Sequence, residues 1–549
     1  MNGGQALVGA LEALDVQVVF GLPGVHNLAA WEALAHSRIR LVGVRHEQAA
    51  AYAADGYARS TGRLGVAIAT TGPGAANMLG AVGEAWASRS PVLAIATDIP
   101  AALRRDGVYR GVLHETTDQA SMFAAVTKKT LTVSNAEQIG LLTLAAGETA
   151  LAAAQRPVYL QIPTDLLSQQ VAEPPLREGV LRRLDEPLAD NDMAGAAELL
   201  AGAQRPLIWV GGGAVAAGAA TLVGELAERL AAPVITTYQA RGLLGADHPM
   251  AVGLPPHLPE CGALWDEADV VIAVGSDLDG MMTQNWLQPS PPTLITVNVD
   301  AAEASKAYAP TFSLVGDAAS TLASLLTLLP TGRELTATSR DLEKRRAAAR
   351  HAMIIDQPEA MRMLDHLGEI LPADATVVAD MCIPGYWYAA LGRVGGPRRL
   401  AYPVGWGTLG FAFPASLGTA AAKALHGGGP VVCLCGDGGF LFAAGELATL
   451  AQERLPLTIV VVDDGGYGML RYDQKHAGQQ IFGVDLTTPD FGRLAESFGI
   501  RSHTVDGFGD SFAAALAEQV ADPGPSMLVV RAHLDPPPTT SPRWYRRTR

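Results

Sequence analysis

Short apolar runs, each bounded by Gly or Pro, alternate with Ala- and Leu-rich stretches along most of the chain. The first third contains the runs VQVVFGLPG, LGVAIATTGPG, SPVLAIATDIP and RPVYLQIPTD. Runs that are apolar throughout predict strands buried on both faces, and the stretches between them have the length of helices. The pattern therefore predicts an α/β fold, with parallel sheets covered by helices on both faces.

The runs fall into three blocks. A polar, acidic segment with three prolines, Glu173–Asp192, precedes the second block, which begins at RPLIWVGGGA and closes near Pro330. A charged helix, TSRDLEKRRAAARH, leads to the third block. Because 549 residues suit about three domains, we predict three doubly wound parallel-sheet domains. Their expected bounds are 1–170, 190–332 and 355–535, with a tail over 536–549.

Composition limits the partners that we expect. The chain has 55 acidic and 40 basic residues, a net charge of −15, and its dense basic stretch is confined to the last residues. A nucleic-acid partner is therefore not expected. No run approaches the roughly 20 apolar residues of a membrane span, and the first residues lack the basic start of a secretory signal. Four scattered cysteines favour a reducing cytoplasm. We expect the Pro-rich, basic tail to be disordered, and a lid over an active site is the alternative.

Two acidic clusters each follow an apolar strand of the third block. Asp437 lies in GDGG after VVCLC, before a helix expected near Ala443, and Asp464 lies in DDGGY after LTIVVV. Adjacent parallel strands would bring both carboxylates to one cation, and the glycines would let backbone N–H groups approach phosphate oxygens. A lone GDG is a common turn, so the second cluster is what indicates a site.

A single glutamate stands out near the start. Glu47 lies in RHEQAA, after the apolar run IRLVGV, and opens a predicted helix. A solitary buried Glu is usually structural. The segment lacks the second His of the HExxH motif, so a zinc site is excluded.

Taken together, these motifs resemble the thiamine-diphosphate enzyme family. FGLPGVHN, RHEQ with AADGYAR, TTGPGAAN, GDGG and DDGGY have the family's order and spacing, and the resemblance runs from Leu7 to about Leu534. It implies pyrimidine-binding, central and diphosphate-binding domains in that order. It also implies a catalytic role for Glu47, whose carboxyl group would act on the cofactor's aminopyrimidine ring. The implied reaction is non-oxidative decarboxylation or carboligation of a 2-oxo acid, through ylide and enamine intermediates.

The resemblance also implies the cofactor contacts. Mg²⁺ would be held by Asp437, Asp464 and the carbonyl of Gly466, with Asp-Asp where the family usually has Asn-Asn. We expect the added charge to tighten the cation and to repel the diphosphate somewhat. Leu409 would separate the two rings of the cofactor, and the Gly407 carbonyl would accept a hydrogen bond from the pyrimidine. The other implied contacts are Glu47, Pro23, Asn77, Gly436, Gly438, Gly439, Tyr467, Gly468 and Met469.

Residues near the reaction centre bear on the subclass. Val25 and Leu470 occupy positions that are acidic in pyruvate decarboxylases, so that subclass is disfavoured. YGMLRY resembles benzoylformate decarboxylase, and LHETTDQASMFAAVTK resembles benzaldehyde lyase, acetolactate synthases and guanidino-oxoacid decarboxylases. His114 is the first candidate for proton transfer and His26 the second. A hydrogen-bonded structural role is the alternative for each His, and Gln119 would add a polar contact.

FAD is left open but is not favoured. Gly211-Gly212-Gly213-Ala214 follows a strand without completing GxGxxG, and GSDLDGMMTQNW departs from the RFDDR of flavin-bearing acetolactate synthases. The leading alternative function is acetolactate synthase, which condenses two pyruvates. A flavin- or nicotinamide-dependent oxidoreductase and a non-catalytic relative are the further alternatives.

Subunit contacts and substrate follow from the same resemblance. In the family, the Glu-bearing domain of one subunit faces the metal-bearing domain of its neighbour, so a homodimer is the minimum and a tetramer is usual. The expected partners are a 2-oxo acid and an aldehyde or ketone acceptor. The sequence offers few charges to hold a substrate apart from Arg110, Arg471 and the terminal arginines.

Overall fold

Each of the three blocks forms its own sheet, and every strand pair within the sheets is parallel. The computed structural model describes residues 1–105, 107–172, 190–522 and 524–539. Residues 173–189 of the predicted linker and 540–549 of the predicted tail lie outside the described residues. Helices flank all three sheets, so the predicted fold class is confirmed.

The N-terminal sheet has the strand order β2-β1-β3-β4-β6-β5. Four of its strands are buried along their whole length, which explains why the corresponding runs are continuously apolar. Its strands are β1 (Val18–Gly21), β2 (Arg40–Gly43), β3 (Gly65–Ala69), β4 (Val92–Asp98), β5 (Lys129–Thr132) and β6 (Val158–Pro163). Its helices are α1 (Gly3–Ala13), α2 (Leu28–Ala35), α3 (Glu47–Thr61), α4 (Pro73–Ala87), α5 (Ile139–Leu151) and α6 (Thr164–Leu167).

The central sheet has the order β11-β10-β9-β7-β8. Its strands are β7 (Pro206–Val210), β8 (Val234–Thr236), β9 (Val270–Val274), β10 (Leu294–Asn298) and β11 (Phe312–Val315). Its helices are α7 (Asp190–Gly202), α8 (Gly212–Ala216), α9 (Ala220–Leu230), α10 (Pro259–Glu267), α11 (Ala301–Ser305) and α12 (Ala318–Leu328). The predicted charged helix follows as α13 (Thr336–Asp356).

The C-terminal sheet has the order β13-β12-β14-β15-β17-β16. Its strands are β12 (Thr376–Ala379), β13 (Leu400–Ala401), β14 (Val431–Gly436), β15 (Leu457–Asp463), β16 (Arg501–Asp506) and β17 (Ser526–Arg531). Its helices are α14 (Pro358–Ile370), α15 (Ile383–Leu391), α16 (Ala412–His426), α17 (Asp437–Leu441), α18 (Leu447–Glu453), α19 (Gly468–His476), α20 (Phe491–Ser497) and α21 (Asp510–Ala521).

The structure adds one short helix to those predicted for this block. A helical segment follows Ala443 as expected, as the 3-10 turn Ala444–Glu446 and α18, but the five-residue α17 already begins at Asp437. The backbone amides of its first turn therefore lie at the end of β14 itself.

Helices α3 and α16 pack the N-terminal and C-terminal sheets together. Glycines make the close approach possible, because a methyl group at Gly56 would overlap the Ala415 carbonyl and one at Gly418 would overlap the Ala53 carbonyl. One buried apolar cluster spans the contact between the two sheets, since it includes both Tyr52 of α3 and Phe411, the residue before α16. Among the helices in the described ranges, none is both long and apolar enough to cross a membrane.

Candidate active site

The two acidic clusters meet at the carboxyl edge of the C-terminal sheet. Strands β14 and β15 are neighbours in register, with Gly436 beside Val462. Asp437 is 1% exposed; its Oδ1 accepts a hydrogen bond from the Gly438 amide at 2.7 Å, and its Oδ2 accepts one from the Gly466 amide at 2.8 Å. We call residues Gly436–Gly439 and Asp463–Tyr467 the metal cradle.

The carboxylates of Asp437 and Asp464 lie close enough to influence each other's protonation. Burial, and then the nearby Asp464 carboxylate, raise the pKa of Asp437 to about 7. Burial also raises the pKa of Asp464, whose Oδ1 is buried without a hydrogen-bond partner. Two desolvated carboxylates that face each other are stabilised by a hard cation such as Mg²⁺. No third acidic, His or Cys side chain joins them to form a cluster in the described part of the chain.

Arg471 contacts the loop of the metal cradle that carries Asp464. Its Nε donates to Asp485 Oδ1 at 2.8 Å, and its terminal nitrogens donate to the carbonyls of Asp464 at 3.4 Å and Gly465 at 3.2 Å. The guanidinium lies 4.0 Å from the Asp464 carboxylate. The structure therefore places this arginine where it supports the loop and offsets the added charge of Asp464. The other arginine noted in the sequence, Arg110, donates to the Leu103 carbonyl at 2.8 Å.

The loop that carries Gly407 and Leu409 is held against the metal cradle by Asp380. This carboxylate is 1% exposed and accepts hydrogen bonds from the amides of Gly410 at 3.0 Å and Phe411 at 3.2 Å. A side chain at Gly439 would collide with Asp380 and would lie 3.4 Å from Leu409 Cδ1. Leu409 is thus adjacent to the cradle, and Gly439 is required by packing.

Sequence reasoning missed Asp380, although a signal was present. It directly follows strand β12, at the same carboxyl edge as Asp437. Burial raises its pKa to about 6. A second acid, Glu84 of α4, was also missed. It is 0% exposed, accepts a hydrogen bond from Thr408 Oγ1 at 2.8 Å, and forms an ion pair with Arg59 at 3.1 Å. No local pattern pointed to that contact.

Glu47 is the first residue of α3 and is 7% exposed. The Asn77 side-chain amide donates to its Oε2 at 2.9 Å. The other oxygen, Oε1, has no hydrogen-bond partner among the described residues and faces Gly74, where a Cβ would lie 3.2 Å away. The carboxyl group is therefore fixed by one oxygen and open at the other.

Pro23 lies in the short segment between β1 and the 3-10 turn Val25–Asn27. The Gly24 amide donates to Asn27 Oδ1 at 2.8 Å, and the Asn27 side chain donates to the Leu22 carbonyl at 3.1 Å. A side chain at Gly24 would collide with Thr70, so the GLPG and TTGPG segments are packed together.

The two candidate histidines form a pair. Their rings lie 5.4 Å apart in an edge-to-face arrangement. His26 Nδ1 is 2.7 Å from Thr71 Oγ1, which donates to Thr97 Oγ1 at 3.0 Å. Burial, and then the neighbouring His114, lower the pKa of His26. His114 has a left-handed backbone, φ 67°, and its Nδ1 is buried without a partner.

Gln119 is 1% exposed and uses its side chain internally. Its Oε1 accepts from the Gly72 amide at 2.6 Å, and its Nε2 donates to the Thr97 carbonyl at 2.9 Å and the Tyr159 hydroxyl at 2.8 Å. These bonds fix the TTGPG loop and leave no side-chain donor for a substrate.

The predicted site residues thus form two groups. Pro23, His26, Glu47, Asn77, His114 and Gln119 lie at the edge of the N-terminal sheet, and we call this group the glutamate half-site. The second group lies at the edge of the C-terminal sheet and comprises Gly407, Leu409, Gly436, Asp437, Gly438, Gly439, Asp464, Gly466, Tyr467, Gly468 and Met469. Among the described residues, no hydrogen bond or ion pair joins Glu47 to the metal cradle of the same chain.

A separate cavity of about 1190 Å³ opens at the carboxyl edge of the central sheet. Its lining includes Gly211, Gly212 and Asp277. The glycines serve close backbone packing, because side chains at Gly211 or Gly213 would collide with Gly275. The Gly213 amide already donates to the Gly275 carbonyl at 2.9 Å, and Asp277 pairs with Arg89 at 3.0 Å.

Comparison with known proteins extends over almost the whole chain. Three family descriptions match in order: thiamine pyrophosphate enzyme, N-terminal TPP binding domain, at residues 1–122; the central domain at 193–325; and the C-terminal TPP binding domain at 382–530. The chain is 37% identical over 506 residues to a probable 2-ketoarginine decarboxylase of Pseudomonas aeruginosa, covering 91% of this chain and 88% of that protein.

Acetolactate synthases are also similar. A probable large subunit from Methanocaldococcus jannaschii is 31% identical over 528 residues, covering 92% of this chain and 88% of that protein. The isozyme 2 large subunit of Escherichia coli is 32% identical over 544 residues, covering 96% of this chain and 95% of that protein.

Proposed function

The chain belongs to the thiamine pyrophosphate (thiamine diphosphate) enzyme family, and on that premise we propose that it is a decarboxylase or carboligase of a 2-oxo acid that uses Mg²⁺ with this cofactor. The observation that carries the proposal is the buried Glu47, held by Asn77 through one oxygen and open at the other. When bound, thiamine diphosphate supplies a nucleophilic carbon and an electron sink for decarboxylation. The Glu47 carboxyl group would hold or move a proton at the pyrimidine nitrogen.

The metal cradle fits a cation and a diphosphate. We assign Asp437, Asp464 and the Gly466 carbonyl as Mg²⁺ ligands, which agrees with the hard oxygen donors that the cation prefers. The unpartnered Asp464 Oδ1 supports this assignment. The Gly439 amide lies in the first turn of α17 and would face the diphosphate with Gly436. The Gly438 amide already donates to Asp437 Oδ1, so Gly438 is proposed to hold Asp437 in place beside the cofactor.

The remaining cofactor contacts are proposed from position. Leu409 and the Gly407 carbonyl lie on the loop held by Asp380, beside the cradle. Tyr467, Gly468 and Met469 continue from the cradle into α19. On the glutamate half-site we assign Pro23 and Asn77.

We further propose that one active site uses two chains. Apolar side chains beside each group of site residues are exposed in the single chain: Val25 is 77% exposed, Leu113 67% and Leu470 52%. A second copy would cover these surfaces and bring Glu47 of one chain to Asp437 of the other. The minimum active unit is then a homodimer, and we propose a homotetramer built from two such dimers.

His114 and His26 are proposed to handle protons of the substrate or product. The lowered pKa of His26 favours the neutral ring, which can accept a proton near neutral pH. His114 is proposed from its position, because its ring lies 5.4 Å from that of His26. Gln119 is proposed as a positioning residue for the TTGPG loop rather than a substrate contact.

Two substrates follow from the relatives. The 37% identity to the probable 2-ketoarginine decarboxylase, against 31% and 32% to the acetolactate synthases, favours a lyase that acts on a 2-oxo acid with a long side chain. Acetolactate synthase, a transferase that uses two pyruvates, is the second candidate. FAD is not part of either proposal.

Carbon dioxide release from a panel of 2-oxo acids tests the proposal. The panel includes 2-ketoarginine, 2-oxohexanoate, benzoylformate and pyruvate, each with thiamine diphosphate and Mg²⁺. We expect release from at least one acid and its loss without cofactor. Acetolactate formation from pyruvate at the highest rate would favour the second candidate, and no release from any acid would contradict both.

We propose the cytoplasm as the location, which the four unpaired cysteines support. We also propose 1–170, 190–332 and 355–535 as the domain bounds, which enclose the strands of the three sheets.

A further inference from the structure

A buried glutamate between α17 and α18, helices that flank the C-terminal sheet, contacts the segment that carries Glu47. Glu446 is 1% exposed and ends a short 3-10 turn, Ala444–Glu446, that follows α17. Its Oε1 accepts hydrogen bonds from the backbone amides of Arg45 at 2.9 Å and His46 at 3.0 Å. Its Oε2 accepts one from Thr449 Oγ1 at 2.6 Å.

The position of these two amides gives the contact its importance. Arg45 and His46 connect the end of β2 to Glu47, the first residue of α3. Amides at the start of a helix have no partner within the helix, and a carboxylate is the strongest acceptor that they can have. Here the acceptor comes from another sheet rather than from the same segment.

Several other contacts cross the same boundary but do not bind the amides that precede Glu47; the Thr449 hydroxyl, for example, donates to the Gly43 carbonyl at 3.3 Å. Arg40 pairs with Glu453 at 3.1 Å, and the Arg45 guanidinium donates to Gln452 at 2.7 Å. These bonds can be lost without freeing the backbone next to Glu47. Glu446 is thus the contact that fixes the backbone from which Glu47 extends.

We propose that Glu446 is a positioning residue for Glu47, which holds the backbone amides of Arg45 and His46 so that the Glu47 carboxyl group meets the cofactor in the correct place. The inference rests on the proposed role of Glu47. A catalytic group must be held within a fraction of an ångström, and a shift of about 1 Å can lower the rate by as much as about a hundredfold.

The test compares three variants of the full-length protein. Glu446→Gln keeps an oxygen that can accept from both amides, and Thr449 can turn its hydroxyl to the Gly43 carbonyl, already 3.3 Å away. Glu446→Asp keeps the charge but shortens the side chain by one methylene, which moves the carboxylate oxygens away from the two amides. Glu446→Met removes the acceptor. Glu453→Gln is the matched control, because it weakens the Arg40 pair across the same boundary.

Two readouts separate positioning from general damage. The first is deuterium exchange of the Arg45 and His46 amides in cofactor-free protein. The second is the exchange rate of the thiazolium C2 proton of bound thiamine diphosphate. We expect Glu446→Asp and Glu446→Met to lose amide protection and to slow the C2 exchange at least about tenfold, with kcat reduced and KM little changed. Glu446→Gln and Glu453→Gln should remain within about threefold of the parent protein.

Other results would overturn the proposal. If Glu446→Asp exchanges C2 at the parent rate, or if Glu453→Gln slows it as much as Glu446→Asp does, Glu446 does not position Glu47. Glu446→Asp decides the outcome if Glu446→Met does not fold. Glu47→Gln is measured beside them: if it also exchanges C2 at the parent rate, the proposed role of Glu47 fails, whatever Glu446 does.

Discussion

At the residue scale, the metal cradle is distinguished by its second carboxylate. The resemblance to the thiamine-diphosphate enzyme family predicts Asn at position 464, but this chain has Asp464. The Arg471 guanidinium lies 4.0 Å from its side chain. The pair leaves the loop with one added negative charge and one nearby positive charge. In the proposed site, the cation and Arg471 would share the Asp464 carboxylate, so we expect the affinity for Mg²⁺ to depend on Asp464 more than on the adjacent Asp463.

Replacing Asp464 tests this dependence. Asp464→Asn keeps an oxygen ligand but removes its charge, so we expect the Kd for Mg²⁺ to rise about tenfold, equivalent to about 1.4 kcal/mol. Isothermal titration of Mg²⁺ into protein saturated with thiamine diphosphate measures the change. The control is Asp463→Asn, which removes an equal charge from the adjacent residue. Equal effects of the two substitutions would show that Asp464 acts through general charge and not as a ligand.

Asp380 predicts a pH dependence of stability. Burial raises its pKa to about 6 from an ordinary 3.8, so the folded protein binds this proton more tightly than the unfolded chain. The resulting stability is fully present below pH 3.8 and is lost as the pH rises through about 6. In the Asp380→Asn variant, the fall of the unfolding free energy with rising pH should be smaller by up to about 3 kcal/mol. Thermal midpoints from about pH 4 to about pH 8 check the result, and parallel curves for the two proteins would contradict it.

At the element scale, helices α3 and α16 pack closely because two glycines lie at their contact. Gly418→Ala would place a methyl group against the Ala53 carbonyl, so we expect destabilisation by about 1–3 kcal/mol. The matched control is Gly368→Ala in α14, where a Cβ meets nothing closer than 3.8 Å. The control should leave stability unchanged or raise it by up to about 1 kcal/mol. Urea unfolding measures both variants, and similar values would mean that the contact is not tight.

The sequence predicted the elements of the fold better than the contacts between them. Strands such as β4 and β14 are continuously apolar because both faces are buried, so the pattern alone indicates parallel sheets. The helix at Asp437 was missed because glycines have low helix propensity, and packing at the end of β14 outweighs that preference. Glu84 and Glu446 were missed for another reason. Their partners, Thr408 and the amides of Arg45 and His46, lie hundreds of positions away in the chain, and no local pattern records such a contact.

At the scale of the whole molecule, the chain contains both groups of site residues but does not join them. In the metal cradle, Asp464 Oδ1 is buried without a hydrogen-bond partner. In the glutamate half-site, Asn77 binds one oxygen of Glu47, and the other has no hydrogen-bond partner among the described residues. Both groups are bordered by exposed apolar side chains, including Val25 and Leu470. These features are consistent with a site that forms only when two chains associate, with Glu47 supplied by one chain and Asp437 by the other.

Subunit mixing tests that claim most directly. Glu47→Gln and Asp437→Asn chains are each expected to be inactive in carbon dioxide release with the acid identified from the panel. If one site takes Glu47 from one chain and Asp437 from the other, each mixed dimer contains one intact site. Random reassociation of equal amounts should then restore about a quarter of the parent activity. If the mixture stays as inactive as either variant alone, while mixed dimers are shown to form, both residues act within a single chain and the account is contradicted.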